Sequence, residues 1–175
     1  MRFVSERALL LHKEYIEAER LRLSVIEKTY PELSGRSARD ILRMKCADKR
    51  EAARLKLNIS CHELYFSSFG GQYTASEAIR RCYGSEATFL YKLGKFAEEC
   101  GERFAFIYAD GKAVRVRGGD EWSLLRIDEG PLVIDLSEHA YFLDYGFDKK
   151  AYIKNLLPYL DLSLLDKNYH VRIEK

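Results

Sequence analysis

The hydrophobic period of this chain changes near residue 101, and that change limits the folds open to it. Before it, apolar residues recur at helical spacing. Leu9, His12, Ile16, Leu23 and Ile26 share one face of a helix predicted over 5–30, with Ser5 as N-cap and Pro31 as the stop. A second helix is predicted over about 37–57, with Ile41, Met44, Ala52 and Leu55 inward. The short "PELSG" link makes the two an antiparallel hairpin. "SCHELYFSSF" (60–69) reads as a short apolar helix, and "GGQY" then breaks the chain. "TASE" (74–77) is a capping box opening a helix to about Cys82, and another helix runs over about 86–100. After the change, "RFAFIYA", "KAVRVR" and "WSLLRI" alternate or run apolar, with Asp110-Gly111 as a hairpin signal. These are predicted as three antiparallel strands. "PLVID" (131–135) is either part of the last strand or a loop leading into a site. Helices return at about 137–143, 148–157 and 162–167. The fold class is α+β: an N-terminal helical hairpin domain (1–70), then a domain (71–175) with a small three-stranded antiparallel sheet and helices.

A hydrophobic fraction of 47% is enough for a substantial core in 175 residues. The net charge of +2 argues against bulk nucleic-acid binding. The basic stretch "RSARDILRMKCADKREAARLK" (36–56) carries Asp40, Asp48 and Glu51 and no aromatics, so it reads as a solvated helix face. No run of 18 apolar residues points to a membrane span. The first residues become charged too early for a secretory signal. Cys46, Cys61, Cys82 and Cys100 form no CxxC pair and read as reduced thiols, so the expected location is cytoplasmic.

Only four histidines occur, and three sit in apolar settings. His12 is on the inward face of the first helix, His62 lies in "CHELYF", and His139 precedes "AYF". Asp135 ends the apolar run "PLVID". Three imidazoles and a carboxylate suit a mononuclear Mn, Fe or Zn site, because a cation supplies the partner charge that a buried carboxylate needs. The same residues have plainer readings. A histidine on an apolar face can be a core residue bonded to a carbonyl, and Asp135 can cap the helix that carries His139. Spacing leaves both readings open. His170, in the charged tail, reads as exposed.

"DLSEHAYFLDY" (135–145) resembles the D-x-W-E-H-A-Y signature of the iron/manganese superoxide dismutases, with Ser137 where tryptophan is usual. "CHELYFSSF" resembles that family's N-H-x-x-F-W segment, "SERALLLH" the start of its first long helix, and "GERFAFIYADGKAVRV" its opening strand pair. The resemblance spans about residues 5–167. It implies His12, His62, Asp135 and His139 as ligands of one Mn or Fe ion per chain. The implied activity is dismutation of superoxide, a small anion that Lys13 and Arg20 would help steer. It also implies a homodimer in which Glu138 reaches the ligand histidine of the other subunit, with Tyr141 at the same interface.

The chain departs from the family pattern around those ligands. The family's first helix carries H-x3-H-x3-Y, and counting from His12 gives Ile16 and Arg20. Tyr15 lies near the same face and can stand in for the tyrosine. A different register would put Arg7 at the ligand position, but "SERALLLH" favours His12. The amide that bonds the metal-held solvent in the family corresponds to Asn58, four residues before His62, or to a place in "RIDEGPL" that holds Asp128 or nothing. These departures leave a second expectation: a metal-binding or structural relative with weak or absent turnover.

Overall fold

The structure, a computed structural model, describes residues 3–70, 76–127 and 130–169. The expected helical start is present. Helix α1 spans Glu6–Thr29, and the Ser5 hydroxyl accepts from the Ala8 N–H at 3.1 Å. Pro31 opens a 3₁₀ turn, Pro31–Leu33, that ends the run.

The second helical stretch breaks earlier than its periodicity suggests. Helix α2 covers only Ala38–Arg43, and a single helix α3 then runs over Lys49–Ser67. Met44 is extended (φ −78°, ψ 160°), and its carbonyl accepts from the Lys49 ammonium at 2.9 Å. No glycine or proline interrupts 57–60, and the helix runs through these residues, with Leu57, Asn58 and Ile59 all buried. This continuity puts Asn58 and His62 one turn apart on one face. α1 and α3 pack antiparallel: His12 faces His62, while Glu19 meets Arg54 and Asn58.

The sheet also corrects one expectation. Strands β1 (Phe104–Ala109), β2 (Val114–Gly119) and β3 (Leu132–Asp135) form an antiparallel sheet in the order β2-β1-β3. "WSLLRI" is not its third strand; Glu121–Arg126 is a 3₁₀ helix, and "PLVID" supplies β3. Asp120 starts the 3₁₀ helix by accepting from the Trp122 N–H. Trp122 and Leu125 then fall three residues apart on one side, against the helical layer. Gly119 permits the turn, since a Cβ there would collide with the Ser123 side chain.

Helices α4 (Glu77–Tyr83), α5 (Glu86–Glu99), α6 (Glu138–Tyr145) and α7 (Lys149–Leu156) follow the expected pattern closely. Leu162–Asn168 is 3₁₀. Ser76 caps α4, whereas Thr74 of the capping box, Gly71–Tyr73, Asp128 and His170 lie outside the described residues. The larger core packs the sheet against α3 to α7 through Phe89, Leu93, Phe106, Ile107, Ile134 and Tyr152. A smaller core joins α2, α3 and the turn after α1 through Leu33, Ile41, Ala52, Ala53 and Leu57.

Candidate metal centre

Four elements converge on one point. α1 supplies His12, α3 supplies His62, the end of β3 supplies Asp135, and the first turn of α6 supplies His139. The Asp135 Oδ2 atom lies 3.2 Å from His12 Nε2, 3.3 Å from His62 Nε2 and 3.0 Å from His139 Nε2. One ligand atom from each residue lies within 4.8 Å of every other. Ligand atoms about 2.1 Å from one small cation lie at most about 4.2 Å apart, and the contacts of Oδ2 with the three imidazoles fall within that reach.

The two Asp135 oxygens are used differently, and Asp135 is not the cap of α6, whose N-cap is Ser137. Oδ1 accepts from the Ser137 N–H at 2.8 Å, just ahead of the helix. Oδ2 faces the imidazoles. Register places it there: Phe104 pairs with Asp135 across β1 and β3, and the Leu136 N–H donates to the Arg103 carbonyl at 2.8 Å. The Tyr152 hydroxyl donates to the Asp135 carbonyl at 3.0 Å. Tyr65 therefore donates to Tyr152, 3.2 Å away.

One imidazole is held so that it presents a lone pair. His62 Nδ1 sits 2.7 Å from the Asn58 carbonyl and must carry the proton, leaving Nε2 free towards the cluster. Burial lowers the His12 pKa against the opposing pull of Asp135, which favours the neutral form. Burial pushes the Asp135 carboxyl up, but His12, His139 and His62 together outweigh it and hold the group well below the usual carboxylate range.

Among the described residues, His12 Nε2 and Asp135 Oδ2 are buried and make no aligned hydrogen bond despite their closeness. Orphaned polar atoms of this kind are costly in a native core. One carboxylate, three imidazoles and two orphaned atoms fit a divalent or trivalent cation. His12, His62 and Asp135 are buried, whereas the His139 side chain is 30% exposed, so solvent reaches the cluster beside it.

Tyr15 and Asn58 adjoin the cluster. Tyr15 stacks on His139 with centroids 4.5 Å apart, and its hydroxyl lies 3.4 Å from Asn58 Nδ2. Arg20 is elsewhere, in ion pairs with Glu17 (3.2 Å) and Glu63 (2.5 Å). With Lys13, it lines a groove of about 300 Å³ beside Ile16 and Phe66, where Glu17 and Glu63 balance both cations. Glu138 is exposed in the first turn of α6. Tyr141 is turned into its own chain, buried and stacked on Tyr152 at 4.9 Å. Burial pushes the Cys61 thiol up, as suits an inert core filler. Among the described residues, the buried Ser137 hydroxyl has no hydrogen-bond partner.

Sequence reasoning missed Glu19, Arg103 and Tyr152 as neighbours of the site. Glu19 carried a signal, since it lies seven residues after His12 on the same helical face. Tyr152 carried none beyond its aromatic character.

Residues 72–168 match the C-terminal domain of the iron/manganese superoxide dismutases. That stretch is more than half of the chain, and the chain belongs to that family. No curated protein matches it.

Proposed function

We propose that the chain is a metal-dependent enzyme that dismutes superoxide to dioxygen and hydrogen peroxide. His12, His62, Asp135 and His139 would hold one Mn or Fe ion. The observation that carries this reading is the buried Asp135 Oδ2 atom, approached by three imidazole nitrogens and left without an aligned hydrogen bond. A bound Mn or Fe supplies one-electron chemistry by cycling between its 2+ and 3+ states.

The protein's own share is orientation and exclusion. The Asn58 carbonyl fixes the His62 tautomer, and Tyr152 and Ser137 fix Asp135 from its backbone and from Oδ1. Tyr15 and the partly exposed His139 border the open side, where a small anion would arrive. Two superoxide anions and two protons give one dioxygen and one hydrogen peroxide. Dimerisation through α6 and Glu138 belongs to the same reading. Its support is the exposed apolar surface of Phe142, Leu143 and Phe147 on and just after α6.

A second reading, a metal-binding relative with weak turnover, is favoured by one observation. Both protons of the Asn58 amide are engaged within the protein, by Glu19 and Tyr15, so none remains for solvent at the ion. Metal analysis and superoxide consumption on one sample separate the two readings. The first expects about one Mn or Fe per chain and consumption lost on chelation and restored on reloading. Full metal with no consumption would favour the second.

A further inference from the structure

Five side chains form a closed circuit beside the cluster and hold no ligand position in it. Asn58 Nδ2 donates to Glu19 Oε2 at 3.2 Å, and Arg54 Nη2 lies 3.3 Å from the same oxygen. Arg54 Nη1 faces Glu121 Oε1 at 3.7 Å, Arg103 Nη1 donates to Glu121 Oε2 at 2.9 Å, and Arg103 Nη2 donates to Asn58 Oδ1 at 3.2 Å. Glu19, Asn58 and Glu121 are buried and the two arginines are partly exposed, so the Asn58–Glu19 contact is shielded from water and the arginine contacts are shielded on the acceptor side.

The circuit leaves Asn58 only one orientation. Its carboxamide lies between a carboxylate and a guanidinium. A flip would set its oxygen against Glu19 and its N–H groups against Arg103, two repulsive contacts in place of two attractive ones. The assignment of oxygen and nitrogen thus follows from the flanking charges. With Nδ2 fixed, its second proton points at the Tyr15 hydroxyl, 3.4 Å away. The Tyr15 oxygen accepts there, so its own proton must point away from Asn58. Tyr15 stacks on His139 at the open side of the cluster.

We propose that Glu19 and Arg103 are positioning residues: gripping opposite ends of the Asn58 carboxamide, they commit the Tyr15 hydroxyl to act as a hydrogen-bond donor to a small anion arriving beside His139. The identity of that anion as superoxide rests on the dismutase reading; the orientation does not. Arg103 also joins the circuit to the ligands, because its carbonyl accepts from the Leu136 N–H next to Asp135.

The test uses the full chain in two states. In ¹⁵N-labelled, metal-free protein, Asn58 is one of three asparagines beside a single glutamine, so its side-chain amide signals can be resolved. Wild type is expected to show an NOE from the Asn58 amide protons to the Tyr15 ring. Glu19→Gln and Arg103→Met should each weaken it at least threefold while the Tyr15–His139 ring NOE persists, and Arg103→Lys should retain it. If Glu19→Gln does not fold, the Arg103→Met and Arg103→Lys pair carries the same test. In metal-loaded protein, Glu19→Gln should raise KM for superoxide at least fivefold, with kcat and metal content within twofold of wild type. A purely structural role would instead lower metal content and thermal midpoint together. An unchanged Asn58–Tyr15 NOE in both Glu19→Gln and Arg103→Met would overturn the proposal. If loaded wild type consumes no superoxide, the dismutase reading falls, and the NOE series still upholds or overturns the orientation.

Discussion

The ligand cluster and the circuit around Asn58 lie side by side, both largely buried and both polar, yet they are satisfied in opposite ways. In the circuit each charge has a protein partner: Glu19 meets Asn58, Arg54 and Arg22, and Glu121 meets Arg54 and Arg103. In the cluster, His12 Nε2 and Asp135 Oδ2 are close to polar atoms but aligned with none among the described residues. A self-satisfied network makes a fixed scaffold, whereas a network short of partners suits an added cation. Burial and polarity alone do not separate the two; hydrogen-bond satisfaction does.

The largest expected effect falls on the cluster. His62→Ala should weaken metal binding by more than about 100-fold, given that even groups behind the ligands cost about 10–100-fold. It should also abolish the stabilisation by metal, which for wild type at about 1,000 times Kd is about 4 kcal/mol. For a chain of this size that is roughly 8–16 °C in thermal midpoint. Metal titration and thermal unfolding with and without Mn check both. Equal midpoints for loaded and metal-free wild type would erase the contrast between the two networks.

Next comes the circuit itself. Asn58→Ala removes one partner from Glu19, which keeps Arg22 and Arg54, and one from Arg103, which keeps Glu121, and it should cost about 1–2 kcal/mol in metal-free protein, measured by urea unfolding. A loss below about 0.5 kcal/mol would mean the circuit is not a scaffold.

The pH dependence of metal binding is the third test. His12 has a lowered pKa, so its lone pair stays available below the ordinary histidine value, and Asp135 stays ionised throughout that range. Affinity should therefore be nearly level from about pH 8 to pH 6.5. Below that it should weaken, by about tenfold per pH unit for each proton displaced, or about 1.4 kcal/mol. Chelator competition reads this directly, and a steep fall already between about pH 8 and 7 would contradict it.

The smallest effect belongs to Arg20→Ala. Its pairs with Glu17 and Glu63 are exposed, so stability should change by less than about 1 kcal/mol. With those carboxylates beside it, superoxide consumption should change by less than about threefold across salt concentrations.

The four candidate ligands were legible in the sequence because the D-x-x-E-H-A-Y element and the apolar settings of His12 and His62 are local features. The α+β order was legible from the change of period. The break after Arg43 was not, since it depends on an extended Met44 and a lysine reaching back to its carbonyl. "WSLLRI" misled because a 3₁₀ helix with apolar residues three apart resembles a strand with an irregular alternation. Its turn depends on a tight approach between Gly119 and Ser123. The circuit was least legible. Arg54, Arg103 and Glu121 look like ordinary surface charges, and only the packing of α1, α3 and the sheet edge brings them together around Asn58.

The central claim is that three imidazoles and one carboxylate hold a single ion, and X-ray absorption at the metal edge of Mn- or Fe-loaded protein tests it most directly. The expected result is one metal per chain, with imidazole scattering from three nitrogens and a carboxylate oxygen at roughly 2.0–2.2 Å. A shell of oxygen atoms without imidazole scattering, or a spectrum unchanged in His62→Ala, would contradict it.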